Sequence, residues 1–445
     1  MPGIGRRGWW AIAGALALAI GCSSGDDLGD RGDPHQPGGS GGSGGSAGAG
    51  GSGGAGGSGG SGGEGGAGGA GGSGGEGGTG GEIPSIHTGE NVRFWQAPHG
   101  VAGPVRGIAA DRGGNVWAVN GEALLLLRPG SETWERFDQA DGLAAYETMS
   151  VAGGANGQVW VGYKGLFPDA NYFDDPPEIA KSGDVDLFQL DGTRLERVRH
   201  YDISSPPEVP PNPEYPMGRD VLRTCYRIVP VLDGPWAGDV WFGCNHGVAM
   251  WNQRFNTVQE HVHTAIWRDG TDRTGDFRGV AIAPDGNVWI AGAHRGGLIR
   301  YADENGQFWA TIAPELDFFP DGVALDPLGD DWIMALLDDG AGNLWAASFG
   351  NGLARRSADG DWSWITTADG LPDNRVYDLA LDPDGSLWVA TDAGVARLRG
   401  GSFVQTLNSL VGVPGTPLSL QIDASTTPRR LLIGTSYGAA IYEGP

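Results

Sequence analysis

Short apolar runs alternate with glycine-containing turns throughout residues 91–445. A typical unit has an apolar run such as Asp378–Asp382, a tight turn such as Pro383–Gly385, a run with a central tryptophan, another turn and a third run such as Gly394–Leu398. Apolar and polar positions alternate within these runs, which indicates strands, and no stretch keeps a helical period. Glycine supplies the positive φ that tight hairpin turns require. The pattern therefore predicts an all-β domain.

One short signature recurs seven times. It has tryptophan at its third position in six copies and leucine in the last: Asn115–Ala118, Gln158–Val161, Asp239–Phe242, Asn287–Ile290, Asn343–Ala346, Ser386–Val389 and Arg430–Ile433. The third positions are 43, 81, 48, 56, 43 and 44 residues apart. A unit of this length, enlarged by insertions in some copies, is typical of a propeller blade. We predict a seven-bladed β-propeller with four-stranded blades.

The two ends of the repeat region complement each other. The seventh unit stops at its third strand, Ala439–Tyr442, whereas the first unit is preceded by a strand-like segment, Asn91–Trp95. An open ring would leave unpaired strand edges. We therefore expect residues 91–96 to complete the seventh blade and to close the ring beside the C-terminal strand.

Two segments, Trp364–Pro372 and Asp382–Thr391, carry the sequence features of a known repeat. They resemble the two-component regulator propeller repeat, whose consensus joins Asp-Gly-Leu-Pro to Asp-x-x-Gly-x-Leu-Trp. The resemblance implies a propeller over residues 91–445. In that family the propeller is usually the periplasmic sensor of a kinase, but no kinase sequence follows here, so that role does not carry over directly.

The first 90 residues predict export and tethering. Arg6 and Arg7 precede an apolar run, Trp9–Ile20, that is too short to span a bilayer. The following Gly21 and Cys22 resemble a lipobox, so we expect residues 1–22 to be a lipoprotein signal peptide and Cys22 to be lipidated; the alternative is an ordinary cleaved signal. Glycine fills 29 of the 44 positions 38–81, which predicts a disordered tether over residues 23–90.

From these features we expect the protein to lie in the cell envelope, as an outer-membrane lipoprotein that faces the periplasm or the cell surface. Ser23 after the cysteine favours the outer membrane by analogy with enteric bacteria. The formal charge of −25 excludes nucleic acid as a partner, because a basic surface is needed to displace counterions from phosphates. We expect membrane contact through the lipid anchor alone, and a monomer.

Nearly all long connections fall in loops that one face of a propeller would carry: 164–184, 202–220, 264–276 and 314–331. Loops on a rigid scaffold commonly carry function. Candidate ligand-binding residues on this face, near the channel mouth, are Arg106, Asn120, Lys164, Asn245, His246, Arg278, His294, Arg295, Asn351, Asp392 and Tyr437. Arg106 and Arg278 occupy equivalent positions, eleven residues before the tryptophan of their unit. The alternative is a solvated rim without a ligand.

The leading functional hypothesis is binding of a protein, peptide or glycan ligand on this face, without catalysis. The alternative is a lyase or hydrolase at the central mouth, as in streptogramin lyases, which are similar propellers that use a histidine base and acidic metal ligands. His246 and His294 are the candidate bases, although no glutamate has matching spacing. A third hypothesis is a scaffold without a small ligand.

No cofactor is expected. The carboxylates of Asp169, Asp174, Asp175 and Glu178 offer oxygen ligands for Ca²⁺, but without the spacing of a known loop, and a solvated charge run is the alternative. His261 and His263 lack a third metal ligand. Cys225 and Cys244 lie on the first and second strands of the third unit, and we predict a disulfide between them because an exported location permits one.

Overall fold

The computed structural model describes one folded unit within residues 86–445, which is separate from residues 1–85. The predicted signal peptide, Cys22 and nearly all of the tether lie outside the described residues. The described residues are 87–97, 99–165, 183–203, 224–234, 236–245, 247–254, 256–261, 265–266, 272–273, 276–284, 286–292, 298–301 and 332–444.

All regular structure in these residues is strand, apart from three short 3-10 turns at Gln139–Asp141, Thr367–Asp369 and Ser409–Val411. The strands in chain order are β1 (His87–Gly89), β2 (Val92–Trp95), β3 (Gly107–Ala110), β4 (Val116–Val119), β5 (Leu124–Leu127), β6 (Glu135–Phe137), β7 (Thr148–Gly153), β8 (Gln158–Tyr163), β9 (Val185–Asp191), β10 (Arg194–Tyr201), β11 (Cys225–Pro230), β12 (Val240–Cys244), β13 (Gly247–Asn252), β14 (Thr257–His261), β15 (Ala265–Ile266), β16 (Asp272–Arg273), β17 (Gly279–Ile282), β18 (Val288–Ala291), β19 (Leu298–Tyr301), β20 (Ile333–Asp338), β21 (Leu344–Ser348), β22 (Gly352–Arg356), β23 (Trp362–Ile365), β24 (Val376–Leu381), β25 (Leu387–Thr391), β26 (Gly394–Arg399), β27 (Ser402–Leu407), β28 (Pro417–Asp423), β29 (Arg430–Thr435) and β30 (Gly438–Tyr442).

The strands form antiparallel sheets that are the blades of an all-β propeller. Four consecutive strands make each of the sheets that begin at β3, β7, β11, β20 and β24, and a sixth sheet has the order β1-β2-β30-β29-β28. Among the described residues, the unit β17-β18-β19 has three strands and β15 pairs only with β16. The prediction of seven four-stranded blades is therefore wrong in that form: six blades have four or more strands, and the predicted fourth strand of the three-stranded unit, near Trp309, lies outside the described residues.

The first strands of the sheets lie beside one another in chain order. β3 contacts β7, β7 contacts β11, β11 contacts β17, and the contacts continue through β20 and β24 to β28. β28 in turn contacts β3. The first strands therefore surround a common axis, and the later strands of each sheet lie farther from it, as propeller architecture requires.

Strands from both ends of the domain share one sheet, which we call the seam sheet (β1-β2-β30-β29-β28). β2 runs antiparallel to β30, with Phe94 opposite Ala440 and Trp95 opposite Ala439. The sequence predicted this neighbour relation for residues 91–96. It did not predict β1, which pairs with the outer edge of β2 and adds a fifth strand.

The recurrent Asp-x-x-Gly-Asn-x-Trp sequence holds the turn between the first two strands of a blade. The Asp111 carboxylate accepts hydrogen bonds from the Gly113 amide at 2.7 Å, from the Asn115 side chain at 2.7 Å and from the Trp117 indole at 3.1 Å. Asp339 accepts equivalent bonds in its own blade, including one of 3.2 Å from the Trp345 indole. The strongest sequence signature of the chain therefore stabilises turns.

Neighbouring sheets pack face to face through apolar side chains. Trp117 and Phe137 from the β3 sheet belong to one core cluster with Val161 and Phe188 from the β7 sheet. Trp117 and Phe188 are fully buried. Wide aromatic rings fill the wedge between two twisted sheets, which explains why tryptophan recurs at this position.

The predicted disulfide between Cys225 and Cys244 is not present. The two residues are direct partners across β11 and β12, yet both are buried free cysteines. The two thiols interact with each other, and each also lies near a backbone carbonyl group, with Cys225 Sγ 3.4 Å from the Arg227 oxygen and Cys244 Sγ 3.5 Å from the Phe242 oxygen. Burial raises the pKa of the Cys244 thiol, which lowers its reactivity because the thiolate is the nucleophile.

Candidate functional site

The two longest connections around the second blade leave from the same end of its strands. Residues 164–184 join β8 to β9, and residues 202–224 join β10 to β11. Their ends are tied together, since the Gly165 amide donates a hydrogen bond of 3.1 Å to Thr224 Oγ1. We call this end of the propeller the loop face; the interiors of both connections, 166–182 and 204–223, lie outside the described residues.

A charged cluster lies at the base of these two connections. His200 Nδ1 is 2.9 Å from Asp186 Oδ1, and His200 Nε2 is 3.4 Å from Asp184 Oδ2. Both carboxylates are buried, and Asp184 has a φ of 70°. Hydrogen bonds with Asp184 and Asp186 raise the pKa of His200 to about 10. The imidazolium therefore uses both ring nitrogens to hold the loop bases, which leaves neither nitrogen to act as a general base.

This cluster predicts that the stability of the folded protein falls as the pH becomes alkaline. Because the pKa of His200 is about 10 in the folded protein and 6.5 ordinarily, its contribution is complete below pH 6.5 and is lost as the pH rises towards 10. We expect the melting temperature to fall over this range. His200→Gln should lower the melting temperature near pH 6.5 and flatten the fall above it, as measured by calorimetry from pH 6 to pH 10. An unchanged slope in the variant would contradict the assignment.

A set of equivalent residues surrounds the channel mouth at the start of the first strands. In five blades the pairing of the first and second strands skips one residue, which is the bulged position. Arg106 and Arg278 hold the corresponding places directly before β3 and β17. We call the set the mouth ring: Arg106, Met149, Tyr226, Arg278, Met334, Tyr377 and Leu418. Bulges redirect side chains and are common beside binding sites.

Neighbouring members of the mouth ring touch each other. Arg106 Nη1 lies 3.9 Å from Met149 Sδ and 3.6 Å from Glu147 Oε2. The Arg278 guanidinium carbon lies 4.1 Å from the centre of the Tyr226 ring, a cation–π distance. The Tyr226 hydroxyl donates a hydrogen bond of 2.9 Å to Asp276.

An aromatic cluster adjoins the mouth ring between the β20 and β24 sheets. Phe349 packs against Trp332 and Tyr377, with ring centres 6.1 and 5.6 Å apart. The Tyr377 hydroxyl donates a hydrogen bond of 2.7 Å to Asp392, which also accepts one of 3.1 Å from Arg375. Burial and the Asp392 carboxylate raise the pKa of Tyr377, so its hydroxyl stays protonated and donates.

An ion pair across the axis forms the floor beneath the mouth ring. Arg227 Nη2 donates to Asp378 Oδ1 at 2.8 Å, and Asp378 Oδ2 accepts from the Leu420 amide at 2.8 Å. Arg227 Nε also donates to the Arg278 carbonyl at 3.3 Å. The pair thereby links the β11, β17, β24 and β28 sheets. At this level the other first strands have small residues, which leave room for the arginine: Gly107, Ser150, Gly279, Ala335 and Ser419.

The remaining candidate ligand-binding residues lie in different environments. Asn120 and Asn245 are buried and support loops: Asn120 Oδ1 accepts the Ala123 amide at 2.9 Å, and Asn245 Oδ1 accepts the Thr224 amide at 2.6 Å. Asn351 and Tyr437 are exposed on the loop face. The Lys164 amide donates to the Glu147 carbonyl at 2.8 Å at the base of the first long connection. His246, His294 and Arg295 lie outside the described residues.

The sequence did not single out the floor pair, the His200 cluster or five members of the mouth ring. For three of these five residues, the spacing from the tryptophan of their unit could have identified the position. Met149, Met334 and Tyr377 all precede the tryptophan of their unit by eleven residues, as Arg106 and Arg278 do.

The described part of the chain has no group of three or more His, Cys, Asp or Glu residues arranged to hold a metal ion. The acidic segment considered for Ca²⁺ (Asp169, Asp174, Asp175 and Glu178) and His263 lie outside the described residues. Within the described ranges, no helix has the length and apolar character needed to cross a membrane.

Residues 370–393, which include β25 and the turn before it, match the family model described as two component regulator propeller. This segment therefore resembles one two component regulator propeller repeat. It begins at the glycine that ends the 3-10 turn Thr367–Asp369 and continues through the Asp-x-x-Gly-x-Leu-Trp sequence. The resemblance inferred from the sequence is confirmed for this repeat. No curated protein matches the sequence significantly.

Solved structures with the same fold come from several proteins. The extracellular domain of the putative one component system BT4673 from B. thetaiotaomicron superposes with a TM-score of 0.50 and 14% identity over 79% of this chain, which spans 40% of the length of that domain. Virginiamycin B lyase from Staphylococcus aureus gives 0.50 and 12% over 79% of this chain and 98% of the lyase. YCF48 bound to D1 peptide gives 0.50 and 17% over 82% of this chain and 100% of YCF48. At these identities the likeness concerns the fold.

Proposed function

We propose that the domain binds a protein, peptide or glycan ligand on the loop face, without catalysis. The observation that carries this proposal is the mouth ring. Five backbone bulges lie at one level, at the start of the first strands, and Arg106 and Arg278 hold the corresponding places in two further units. Such bulges are common beside binding sites. The long connections leave from the same face, so a ligand there would meet both the ring and the loops.

We also propose that the ring of first strands, which includes β17 of the three-stranded unit, is closed by the seam sheet. The circular contacts of the first strands support this arrangement. Lipidation at Cys22 and a tether from residue 23 to the start of β1 would hold the propeller in the cell envelope, on the outer membrane. A location outside the cytoplasm is consistent with the extracellular domain of BT4673, which has the same fold.

The proposal is tested by photocrosslinking from the two faces of the propeller. The photoreactive residue p-benzoylphenylalanine replaces either Tyr437, which is 63% exposed on the loop face, or Asp359, which is exposed in the turn between β22 and β23 at the opposite end. Irradiated envelope fractions are separated by mass. We expect a crosslinked species from position 437 and none from position 359.

Two results would contradict this assignment. Equal crosslinking from both positions would mean that contacts are not specific to one face. A species formed only from position 359 would move the ligand to the face of tight turns. A melting temperature for each variant within a few degrees of the parent shows that both remain folded.

A further inference from the structure

We propose that the channel mouth binds the carboxylate of a ligand that also carries an apolar group. This inference rests on the proposed function, and it specifies the chemistry of the same site. Three arginines lie at the mouth: Arg106 and Arg278 at the rim and Arg227 at the floor. Arginine recognises carboxylates through paired, charge-assisted hydrogen bonds.

The rim arginines are weakly engaged with their acidic neighbours. Arg106 is 3.6 Å from Glu147, and Arg278 is 3.5 Å from Asp276, distances at which a hydrogen bond is weak or absent. Arg278 Nε is buried and has no hydrogen-bond partner among the described residues. Structural arginines of this chain differ: Arg128 binds Glu135 through two nitrogens, one of them at 3.0 Å, and Arg430 Nε is 2.9 Å from Asp423.

The floor arginine is held in a fixed direction with donors left over. Arg227 is bound by Asp378 at 2.8 Å and by the carbonyl groups of Arg278 and Met334 at 3.3 and 3.5 Å. Within the described residues, Nη1 has no hydrogen-bond partner, and the side chain is 31% exposed. A guanidinium that is already ordered loses little entropy when it binds an oxyanion.

Apolar groups lie beside these cations. Met149 and Tyr226 contact the rim arginines directly, and Phe349 and Leu418 are only partly buried in the core. A simple inorganic anion would leave this surface in water, whereas an apolar acid would cover it. Because the net charge of −25 repels anions at long range, recognition has to come from short-range contacts, which moderate salt preserves.

The probe pair is N-acetylphenylalanine and N-acetylphenylalaninamide, which differ only in having a carboxylate or a neutral amide. Binding to the full chain is measured by isothermal titration calorimetry at 0.15 M salt. We expect the acid to bind at least ten-fold more tightly than the amide. Equal affinities, or no binding of the acid, would overturn the carboxylate assignment.

Substitutions of the rim arginines test whether the carboxylate binds at the mouth. Arg106→Gln and Arg278→Gln should each weaken binding of the acid at least five-fold and leave the amide unaffected. Arg136→Gln is the matched control, because Arg136 has similarly long ion pairs of 3.6 and 3.8 Å but lies on β6, the outer strand of its blade. An equal loss in Arg136→Gln would overturn the site. Crosslinking from position 437 together with equal acid and amide affinities would refute this inference alone and leave the proposed function standing.

Discussion

Replacing Arg227 by methionine should destabilise the domain by about 3 kcal/mol, since it leaves the charge of the buried Asp378 carboxylate uncompensated. Asp378 is almost fully buried, and among the described residues the Leu420 amide alone would still bond its carboxylate after the substitution. The free energy of unfolding is measured by chemical denaturation. The expected loss is large because the pair connects sheets on opposite sides of the axis.

The double variant Arg227→Met with Asp378→Leu is the control for this prediction. Removing both charges removes the unpaired carboxylate, so the double variant should be more stable than Arg227→Met alone. If the two single losses simply add in the double variant, the residues do not act as a pair. Arg399→Met, at an exposed position, should change stability by less than about 0.5 kcal/mol.

Deleting residues 1–96 should destabilise the domain more than any single substitution. The deletion removes β1 and β2, and with them the buried side chains of Val92, Phe94 and Trp95. Burial of three large apolar side chains contributes about 6 kcal/mol by area, and β30 would gain a free edge that favours aggregation. We expect a much lower melting temperature and concentration-dependent precipitation on heating.

Deletion of residues 1–86 is the matched control, because it keeps both strands of the seam sheet that come from the N-terminal side. This shorter deletion should melt close to the full chain. Equal melting temperatures for the two deletions would show that β2 does not stabilise the domain. Comparing the two separates the contribution of the seam from that of the preceding segment.

The strand order was readable from the sequence because one turn repeats with its bonding partners. The set Asp111, Asn115 and Trp117 recurs in the fifth unit as Asp339, Asn343 and Trp345, and each set bonds the turn of the hairpin between the first two strands. The pairing of the two ends was predictable for a similar reason, because the seventh unit lacked a strand that the N-terminal segment supplied. These are local features with a regular period.

The mouth and the loop bases were harder to predict because they depend on contacts between units. Arg227 and Asp378 are 151 residues apart, and nothing in the sequence around either residue indicates its partner. The His200 cluster combines Asp184, which directly precedes β9, and Asp186 on β9 with a residue near the end of β10. The cysteine prediction was right about the register of the two residues but wrong about the covalent bond, because adjacent thiols on paired strands do not by themselves form a disulfide.

If the domain is held by its N-terminal end, as proposed above, β1 has a mechanical consequence. Within the part of the chain that the structure describes, this strand lies at the outer edge of the seam sheet and pairs only with β2, which in turn pairs with β30. A pulling force on the preceding segment would therefore separate β1 from β2 one hydrogen bond at a time, and it would next reach the junction on which the circular arrangement depends. β1 would therefore detach first, and the pairing of β2 with β30 would bear the force only after β1 had separated.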